Sequence, residues 1–483
     1  MTSIKFAVIL AVSVVALIGI VYYEQSLGTK IFPLKVITNN DPYLKEYPLP
    51  ANSAPNGLVV DKNGIVWIAS SKNNTLFSYD PKITQIHSYD IRNGSMLYNV
   101  NRSPSMTWTI VEDESGKIWF SQLGPKIIWR FDPKVSDFDA YHLDNGSPFQ
   151  MKINKQGEIW FTTLNDDTIG VINKSNKTSS GYEIATFSTG NNTSPAGIFL
   201  QNDSVWTAFI SSQYISQYSI NHQGDSVKNI SLIQRIPRNN ETFSSPTDLF
   251  ANRDTVWLTE HGTSFLTEYN ITSGQVNRYP TSQNSFHTVT LPFWIRTGNS
   301  SNILWFNEHQ GNKIALFEID DKTMTEYIIP SLPMDGYLTY SLNIAIDPYD
   351  EKKLWFSEWN TDKIGLIDGN VKPPFEIYTD VKTVTLGPKE PENMIKVQIK
   401  GESKYNANRI FLNTSSSMMP TAELGNLTAK FSSESLDLTN ENKTTLTLHY
   451  NDMVVPGNYT LGISASDGFV IKTIFLNLRI LKN

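Results

Sequence analysis

The segment Leu354–Gly369, LWFSEWNTDKIGLIDG, contains two apolar stretches of strand length separated by a short polar turn. The same pattern of a tryptophan strand, a polar turn and a second strand recurs along the chain. The tryptophans that mark it are 41 to 52 residues apart: Trp67, Trp119, Trp160, Trp206, Trp257, Trp305 and Trp355. A period of this length is typical of repeat architectures in which each repeat is one supersecondary unit.

Each repeat has the pattern of four short β-strands. An apolar stretch and a turn precede the tryptophan, as in GLVVDKNG before Trp67, and a stretch with a Tyr/Pro ending follows many repeats, as in EYIIP at 326–330. Alternating apolar residues without a 3.6-residue period indicate strands. Seven such repeats predict an all-β chain with a seven-bladed β-propeller over residues 41–370, in which the tryptophans pack between blades.

The start of the repeat region also predicts how the ring closes. Tyr43–Pro50, YLKEYPLP, has the pattern of a fourth strand, but no first three strands precede it. We expect it to complete the seventh blade, whose third strand ends near Asp368. Joining both ends of the ring in one sheet removes free strand edges.

The last part of the chain differs from the repeats. Pro373 and Pro374 mark the change, and no tryptophan occurs after them. Residues 375–483 contain alternating strands such as MIKVQIKG and FVIKTIFLNLRI, with a turn about every ten residues. A unit of this length and pattern predicts an immunoglobulin-like β-sandwich, which we expect to act as a spacer or docking module.

The N-terminus predicts export. Residues 1–30 contain an uncharged apolar stretch, Phe6–Tyr23, which as one helix is long enough to cross a bilayer. The alternatives are an uncleaved signal anchor with one transmembrane helix and a cleaved signal peptide; a buried helix of a soluble domain fits its N-terminal position poorly. We therefore expect either a single-pass membrane protein with an extracellular propeller or a secreted protein. Seventeen N-x-S/T tripeptides agree with export and suggest a glycoprotein.

Composition excludes several classes of function. The net charge is −7, so no basic field is present to bind nucleic acid. Cysteine is absent, which excludes thiol nucleophiles, disulfides and cysteine-bound metals. Aromatic residues make up 12% of the chain and charged residues 18%, which is unlike a disordered protein.

The repeat motif, W-F-[ST]-E followed by N-K-I-[GA], resembles the streptogramin lyase (virginiamycin B lyase) family of seven-bladed propellers. The resemblance covers residues 45 to 370 and is clearest in WFTTLNDDTIGVI, WFNEHQGNKIALF and WFSEWNTDKIGLI. It implies an enzyme in which glutamates hold a magnesium ion, a histidine is the general base, and a cyclic depsipeptide opens by elimination. It also implies an E-x-H motif fourteen to sixteen residues before the glutamate of a WFTE strand.

Candidate metal ligands follow from this resemblance. Glu260, Glu308 and Glu358 occupy the WFTE glutamate position in three consecutive blades. If they converge at the mouth of the central channel, they would bind Mg²⁺ or Ca²⁺, since both prefer oxygen ligands. The alternative is that they are solvated residues of the rim.

The expected general base is missing from its motif position. Blades five, six and seven have Ser244–Thr247, Pro292–Trp294 and Ser341–Asn343 there, without histidine. His261 and His309, which directly follow two of the glutamates, are candidate replacement bases or metal ligands; otherwise they are exposed loop residues.

Two further tryptophans and two classes of function remain. Trp294 and Trp359 lie outside the tryptophan register and either pack internally or form an aromatic wall for a ligand.

The first functional hypothesis is a surface protein that binds a glycan, a peptide or an envelope protein at the propeller mouth. The second is a magnesium-dependent lyase acting on a cyclic ester or depsipeptide, and a calcium-dependent lactone hydrolase is a further enzymatic alternative.

Overall fold

The structure, a computed structural model, describes residues 41–91, 106–175, 181–224, 226–238, 241–283, 289–298, 300, 302–332, 339–401, 409–418, 427–450 and 454–482. In these ranges the secondary structure is all β, without a helix. No helix in the described part of the chain is therefore suited to crossing a membrane. The predicted hydrophobic helix, Phe6–Tyr23, lies outside the described residues.

The described repeat region forms seven four-stranded antiparallel blades. The chain enters with β1 (Leu44–Pro48). Blade 1 consists of β2 (Pro55–Val60), β3 (Val66–Ser70), β4 (Thr75–Asp80) and β5 (Gln85–Asp90). Blade 2 consists of β6 (Thr107–Glu112), β7 (Ile118–Gln122), β8 (Ile127–Asp132) and β9 (Asp137–His142). Blade 3 consists of β10 (Pro148–Ile153), β11 (Ile159–Thr163), β12 (Thr168–Lys174) and β13 (Tyr182–Ser188).

The remaining blades follow in chain order. Blade 4 consists of β14 (Pro195–Gln201), β15 (Ser204–Phe209), β16 (Ile215–Gln223) and β17 (Ser226–Ile236). Blade 5 consists of β18 (Pro246–Ala251), β19 (Thr255–Glu260), β20 (Phe265–Asn270) and β21 (Val276–Pro280). Blade 6 consists of β22 (Pro292–Thr297), β23 (Ile303–Glu308), β24 (Lys313–Glu318) and β25 (Thr323–Ile328). Blade 7 consists of β26 (Ile344–Asp347), β27 (Asp350–Glu358), β28 (Lys363–Asp368) and the incoming β1.

The blades form a closed ring around a central axis. The first strands of successive blades contact one another, and β2 of blade 1 contacts β26 and β27 of blade 7. β1 pairs with β28, from Leu44 opposite Ile367 to Pro48 opposite Lys363. The N-terminal strand therefore completes blade 7 and closes the ring, as the sequence predicts. The first strands thus line the axial channel, and the fourth strands are outermost.

The repeated tryptophan is an inter-blade packing residue anchored by the turn before it. Trp67 is 4% exposed and packs in a cluster with Ile110 and Phe120 of the next blade. Its indole N–H donates to Asp61 Oδ2 at 2.9 Å, while Oδ1 of the same carboxylate accepts the backbone N–H of Ile65 at 2.9 Å. The Asp-x-x-Gly turn therefore both forms the hairpin and fixes the orientation of the ring.

The Ser/Thr of the W-F-[ST] motif connects neighbouring blades. Thr259 Oγ1 accepts the backbone N–H of Asp248 in its own blade at 3.2 Å and donates to the carbonyl of Phe293 in the next blade at 2.5 Å. Thr162 makes the equivalent bonds to Gln150 and Ala196 in blades 3 and 4. The motif that carries the family resemblance is therefore mainly structural.

The C-terminal unit consists of two packed sheets. Its strands are β29 (Phe375–Thr379), β30 (Thr383–Leu386), β31 (Glu392–Gly401), β32 (Ile410–Ser416), β33 (Thr428–Phe431), β34 (Ser435–Leu436), β35 (Lys443–His449), β36 (Gly457–Ser466) and β37 (Val470–Ile480). One sheet has the order β29-β31-β35-β33, and the other has β37-β36-β32-β34 with β30 parallel to β37. Ile395, Leu446 and Ile463 are fully buried in the cluster that includes both sheets.

This unit is joined to the propeller by strand pairing. β37 pairs antiparallel with β25, the outer strand of blade 6, from Thr323 opposite Ile474 to Tyr327 opposite Val470. Blade 6 and one sheet of the C-terminal unit thus form a single nine-stranded sheet. The sequence did not indicate this arrangement, in which the unit covers the exposed edge of one blade.

Candidate functional site

One backbone hydrogen bond, repeated in all seven blades, places seven residues around one end of the axial channel. In blades 1 to 6 the residue after the second strand donates its N–H to the carbonyl of the residue before the first strand, and in blade 7 Trp359 donates to the carbonyl of Tyr340, at 2.9 to 3.3 Å. These seven residues, here called the mouth ring, are Ser71, Leu123, Leu164, Ile210, His261, His309 and Trp359. The ring is apolar in blades 2 to 4 and carries imidazole or indole groups in blades 5 to 7.

The two histidines predicted from the sequence meet in this ring. His261 Nε2 lies 3.3 Å from His309 Nδ1, and the centroid of Phe293 lies 5.1 and 5.2 Å from the two rings. Burial lowers the pKa of His261 to about 3, with repulsion from His309 adding to it, and burial lowers the pKa of His309 to about 4. Both imidazoles are therefore neutral near pH 7. A general base works best with a pKa near the working pH, so neither is tuned for that role.

Glu260 is buried and fully bonded inside blade 5. Its Oε1 accepts Arg278 Nε at 2.9 Å and Thr267 Oγ1 at 2.5 Å, and its Oε2 accepts the backbone N–H of Ser244 at 2.7 Å. Thr267 and Arg278 lie on the third and fourth strands of the same blade, farther from the axis. The carboxylate therefore faces outward along its own sheet.

Glu308 belongs to a buried charged cluster in blade 6. Its Oε2 lies 2.9 Å from Lys313 Nζ, which also contacts Glu326 Oε1 at 2.5 Å. All three side chains are 2% exposed or less. Burial raises the pKa of Glu308 well above its ordinary value and Glu326 adds to this effect, although Lys313 opposes it. Protonation of Glu308 leaves the cluster without net charge.

Glu358 is in a similar position in blade 7. Its Oε2 accepts Thr361 Oγ1 at 2.7 Å, while Lys363, on the adjacent strand, is 2.9 Å from Glu46 Oε2. Burial raises the pKa of Glu358 to about 8, and repulsion from Glu46 adds to it. A carboxyl group with this pKa is largely protonated at neutral pH.

The expected convergence of Glu260, Glu308 and Glu358 on the channel mouth is not observed. No group of three or more Asp, Glu or His residues in the described part of the chain is placed to hold a metal ion. The physical reason is that the principal cationic and hydroxyl partners of each glutamate lie within its own blade or in the loop beside it. These residues therefore do not fit the Mg²⁺ or Ca²⁺ site expected from the sequence, and they are not solvated rim residues either.

Aromatic side chains fill the channel just below the mouth ring. Trp108, Phe149 and Phe293 come from the first strands of blades 2, 3 and 6, and their ring centroids are 4.8 Å (Trp108–Phe149) and 5.8 Å (Trp108–Phe293) apart. Trp294 joins them, 5.3 Å from Phe149, and is fully buried. These four residues, here called the aromatic plug, occupy the axis itself, since they touch across the ring.

The two tryptophans predicted as a ligand wall have different positions. Trp294 is part of the aromatic plug, whereas Trp359 is half-buried in the mouth ring. Lys72 Nζ lies 5.7 Å from the Trp359 ring, and the indole N–H of Trp359 has no hydrogen-bond partner among the described residues. Trp359 is thus the tryptophan placed to contact a ligand.

Sequence reasoning missed Trp108, Phe149 and Phe293 as residues of the site. Each of the three directly follows the first residue of the first strand of its blade. At this point the first strands of blades 1 to 6 shift their pairing register with the second strand. Such a β-bulge turns side chains out of the regular alternation. Aligning the repeats on this position shows the aromatic residues, but a single sequence does not show that they meet across the axis.

Chemically, this end of the channel is an amphipathic, largely uncharged surface. Its aromatic plug and neutral imidazole pair suit contact with apolar or ring-shaped groups. No nucleophile with an adjacent base and no metal site is assembled there among the described residues.

Comparisons with known proteins point to one family. A family model described as the virginiamycin B lyase family matches residues 95–379. The solved structure of selenomethionine-substituted virginiamycin B lyase from Staphylococcus aureus is 22% identical, with a TM-score of 0.52, over 67% of this chain and 98% of that one. A streptogramin B lyase structure gives 22% identity and a TM-score of 0.52 over 67% of this chain and 96% of that one.

Structural similarity alone extends to proteins with other names. Hydrazine synthase from Kuenenia stuttgartiensis has a TM-score of 0.50 at 10% identity over 67% of this chain and 97% of that one. No curated protein matches the chain at a significant level. The structural comparisons therefore support a β-propeller fold, and among the proteins with this fold the family model identifies one family.

Proposed function

The chain belongs to the virginiamycin B lyase family, and on this premise we propose that its propeller is a binding domain whose mouth holds an amphipathic ligand. The observation that carries the proposal is the aromatic plug. Where the family resemblance calls for E-x-H at the start of a first strand, blade 6 has Pro292, Phe293 and Trp294, and both aromatic rings pack into the plug. The place of the general base is thus filled by packed aromatic rings.

The ligand class follows from the mouth ring. Trp359 and the His261–His309 pair offer flat, uncharged faces, and the opposite side of the ring offers aliphatic groups. Flat aromatic faces and scattered hydrogen-bond donors suit a glycan or an apolar peptide segment, including one presented by an envelope protein. A ligand of high charge does not suit this surface.

We further propose that the chain is an exported membrane protein. The apolar stretch Phe6–Tyr23 and the abundance of N-x-S/T tripeptides support this. β1 runs from Leu44 to Pro48, and Pro48 pairs with Lys363 at the mouth end of blade 7. The chain therefore enters at the end of the ring opposite the mouth, and an N-terminal anchor would direct the mouth away from the membrane.

The C-terminal unit is proposed to be an immunoglobulin-like sandwich. In such folds, strands A, B, E and D form one sheet and G, F and C form the other. The orders β29-β31-β35-β33 and β37-β36-β32 agree with this topology. Its pairing with β25 supports a role as a rigid extension of the propeller.

The alternative function is a magnesium-dependent lyase that opens a cyclic depsipeptide, which family membership favours. A catalytically inactive Staphylococcus aureus virginiamycin B lyase has been solved with quinupristin (TM-score 0.51). Quinupristin is therefore the substrate to test. Magnesium-dependent opening of quinupristin by the full chain would overturn the binding proposal.

Binding is tested with glycan and peptide arrays, probed with the full chain in detergent. Trp359→Ala is the test variant, and Tyr378→Ala, which removes a 49% exposed aromatic residue from the C-terminal unit, is the matched control. We expect a ligand that is retained by wild type and by Tyr378→Ala and lost by Trp359→Ala. Equal retention by both variants would place binding elsewhere.

A further inference from the structure

Below the aromatic plug, the axial channel contains a small charged group. In blades 1 to 6 we consider the four residues that follow the first residue of the first strand, and in blade 7 the four corresponding residues. The ionisable residues among them are Lys152, Asp248 and Arg296. They come from blades 3, 5 and 6. When Lys152 is protonated, two cations and one carboxylate leave one unbalanced positive charge in a channel that is otherwise uncharged at these positions.

Lys152 and Arg296 come from the first strands of blades 3 and 6, which lie nearly opposite each other in the ring. Each lies three residues after a ring of the aromatic plug, Lys152 after Phe149 and Arg296 after Phe293. The centroids of these two rings are 6.4 Å apart. Since both strands run away from the mouth, the two cationic residues lie at the same depth on nearly opposite sides of the axis.

Arg296 is held in place by its neighbours. Its Nη1 donates to Asp248 Oδ2 at 3.1 Å and to the carbonyl of Ile295 at 2.7 Å, and its Nη2 is 3.5 Å from Asn343 Oδ1. The guanidinium side chain remains 16% exposed. Arg296 is thus preorganised, and its side chain is not completely enclosed by these partners.

Lys152 has no comparable partner. No hydrogen bond or ion pair joins it to another described residue, and its side chain is half-buried. Two positions before it on the same strand, Gln150 is fully buried and its Nε2 has no hydrogen-bond partner among the described residues, whereas its Oε1 accepts the N–H of Ile198. The strand that carries Lys152 therefore has two unused donors, Lys152 Nζ and Gln150 Nε2.

We propose that the channel below the plug is a binding site for a small oxyanion, held by Lys152 and Arg296 from opposite sides with Gln150 as an additional donor. A carboxylate, sulfate or phosphate group has the acceptor atoms that these donors lack. The site is separate from the mouth ring and does not depend on what binds there.

The electrostatics of Lys152 are consistent with a missing anion. Burial lowers the pKa of Lys152 to about 7 and repulsion from Arg296 adds to it, while Asp248 opposes it. An anion beside Lys152 would favour its charged form. Binding should therefore weaken as the pH rises through 7.

The test uses thermal unfolding of the full chain in detergent with sulfate, which keeps its charge over this pH range. Sodium chloride at equal ionic strength is the control for screening. We expect millimolar sulfate to raise the melting temperature at pH 6 relative to chloride, with an affinity about thirtyfold weaker at pH 8.5. No shift relative to chloride at pH 6 would overturn the proposal.

Two lysine variants locate the effect. Lys152→Met removes the proposed ligand, and Lys155→Met removes an exposed lysine just beyond the same strand. We expect Lys155→Met to keep the sulfate shift and Lys152→Met to lose it. Isothermal titration of both variants with sulfate checks this independently of their melting temperatures. An unchanged affinity of Lys152→Met would contradict the site.

Discussion

His261 and His309 meet at the junction of blades 5 and 6, where Nε2 of the first lies 3.3 Å from Nδ1 of the second. Their positions directly after two of the glutamates make both of them candidate replacement bases, but their lowered pKa values make each ring a weak base. The pair therefore acts as a hydrogen-bonding surface of the mouth.

The histidine pair yields a prediction about titration. Because burial lowers the pKa of His261 to about 3 and that of His309 to about 4, neither ring should titrate between about pH 5 and pH 8. NMR of the imidazole protons checks this, with His261→Gln and His309→Gln used to assign the two signals. A midpoint above pH 5 for either ring would contradict the description of the pair as neutral.

The buried glutamates should respond in opposite ways to neutralisation. The pKa of Glu358 is raised to about 8, so its contribution to stability is greatest below its unfolded pKa of 4.5 and is lost as the pH rises toward 8. Glu358→Gln should therefore be more stable than wild type at pH 8 and show little difference near pH 4.5. Glu260→Gln should lose about 1–3 kcal/mol of stability at neutral pH, because Arg278 loses its buried carboxylate partner and keeps only the more exposed Glu241. Urea unfolding across this pH range checks both, and destabilisation by Glu358→Gln at pH 8 would be the contrary result.

Much of the fold could be predicted from the sequence, because it depends on local and repeated signals. Trp67 and the turn at Asp61 recur with their spacing in other blades, and this repetition indicated the propeller and its closure by β1. The direction of Glu308 could not be predicted, because a position at a strand end does not show whether a side chain faces the axis or Lys313. The contact of Trp108 with Phe293 joins residues far apart in the sequence, with no local pattern to indicate it.

Close packing of blades 4 and 5 makes Gly197 a sensitive position. A Cβ atom there would lie 2.5 Å from the carbonyl oxygen of Thr247 and 2.7 Å from Asp248 Cα, both backbone atoms of β18. Gly197→Ala should cost about 1–3 kcal/mol through overpacking. Gly124→Ala is the matched control, since a Cβ there meets no described atom within 4 Å. Urea unfolding compares the two, and equal stability of the variants would argue against this packing.

The junction of the propeller with the C-terminal unit depends on a contact at Phe475. Its ring centroid lies 5.2 Å from Tyr279 and 6.2 Å from Phe317. Phe475→Ala should loosen the β25–β37 pairing and accelerate hydrogen exchange at the amides of Thr323–Tyr327. Met394→Ala, at a 61% exposed position of the same unit, should leave exchange unchanged. Unaltered exchange in Phe475→Ala would show that the pairing does not need this contact.

We infer that the three glutamates are structural and that the mouth is a binding surface without a metal centre. Thermal unfolding of the full chain after chelation, repeated with millimolar Mg²⁺ or Ca²⁺, tests it most directly, since a cation bound only to the folded state raises the melting temperature. Glu358→Gln, which is expected to fold, serves as the comparison. We expect the same melting temperature with and without the cations in both proteins. A rise of several degrees in wild type that disappears in Glu358→Gln would contradict it.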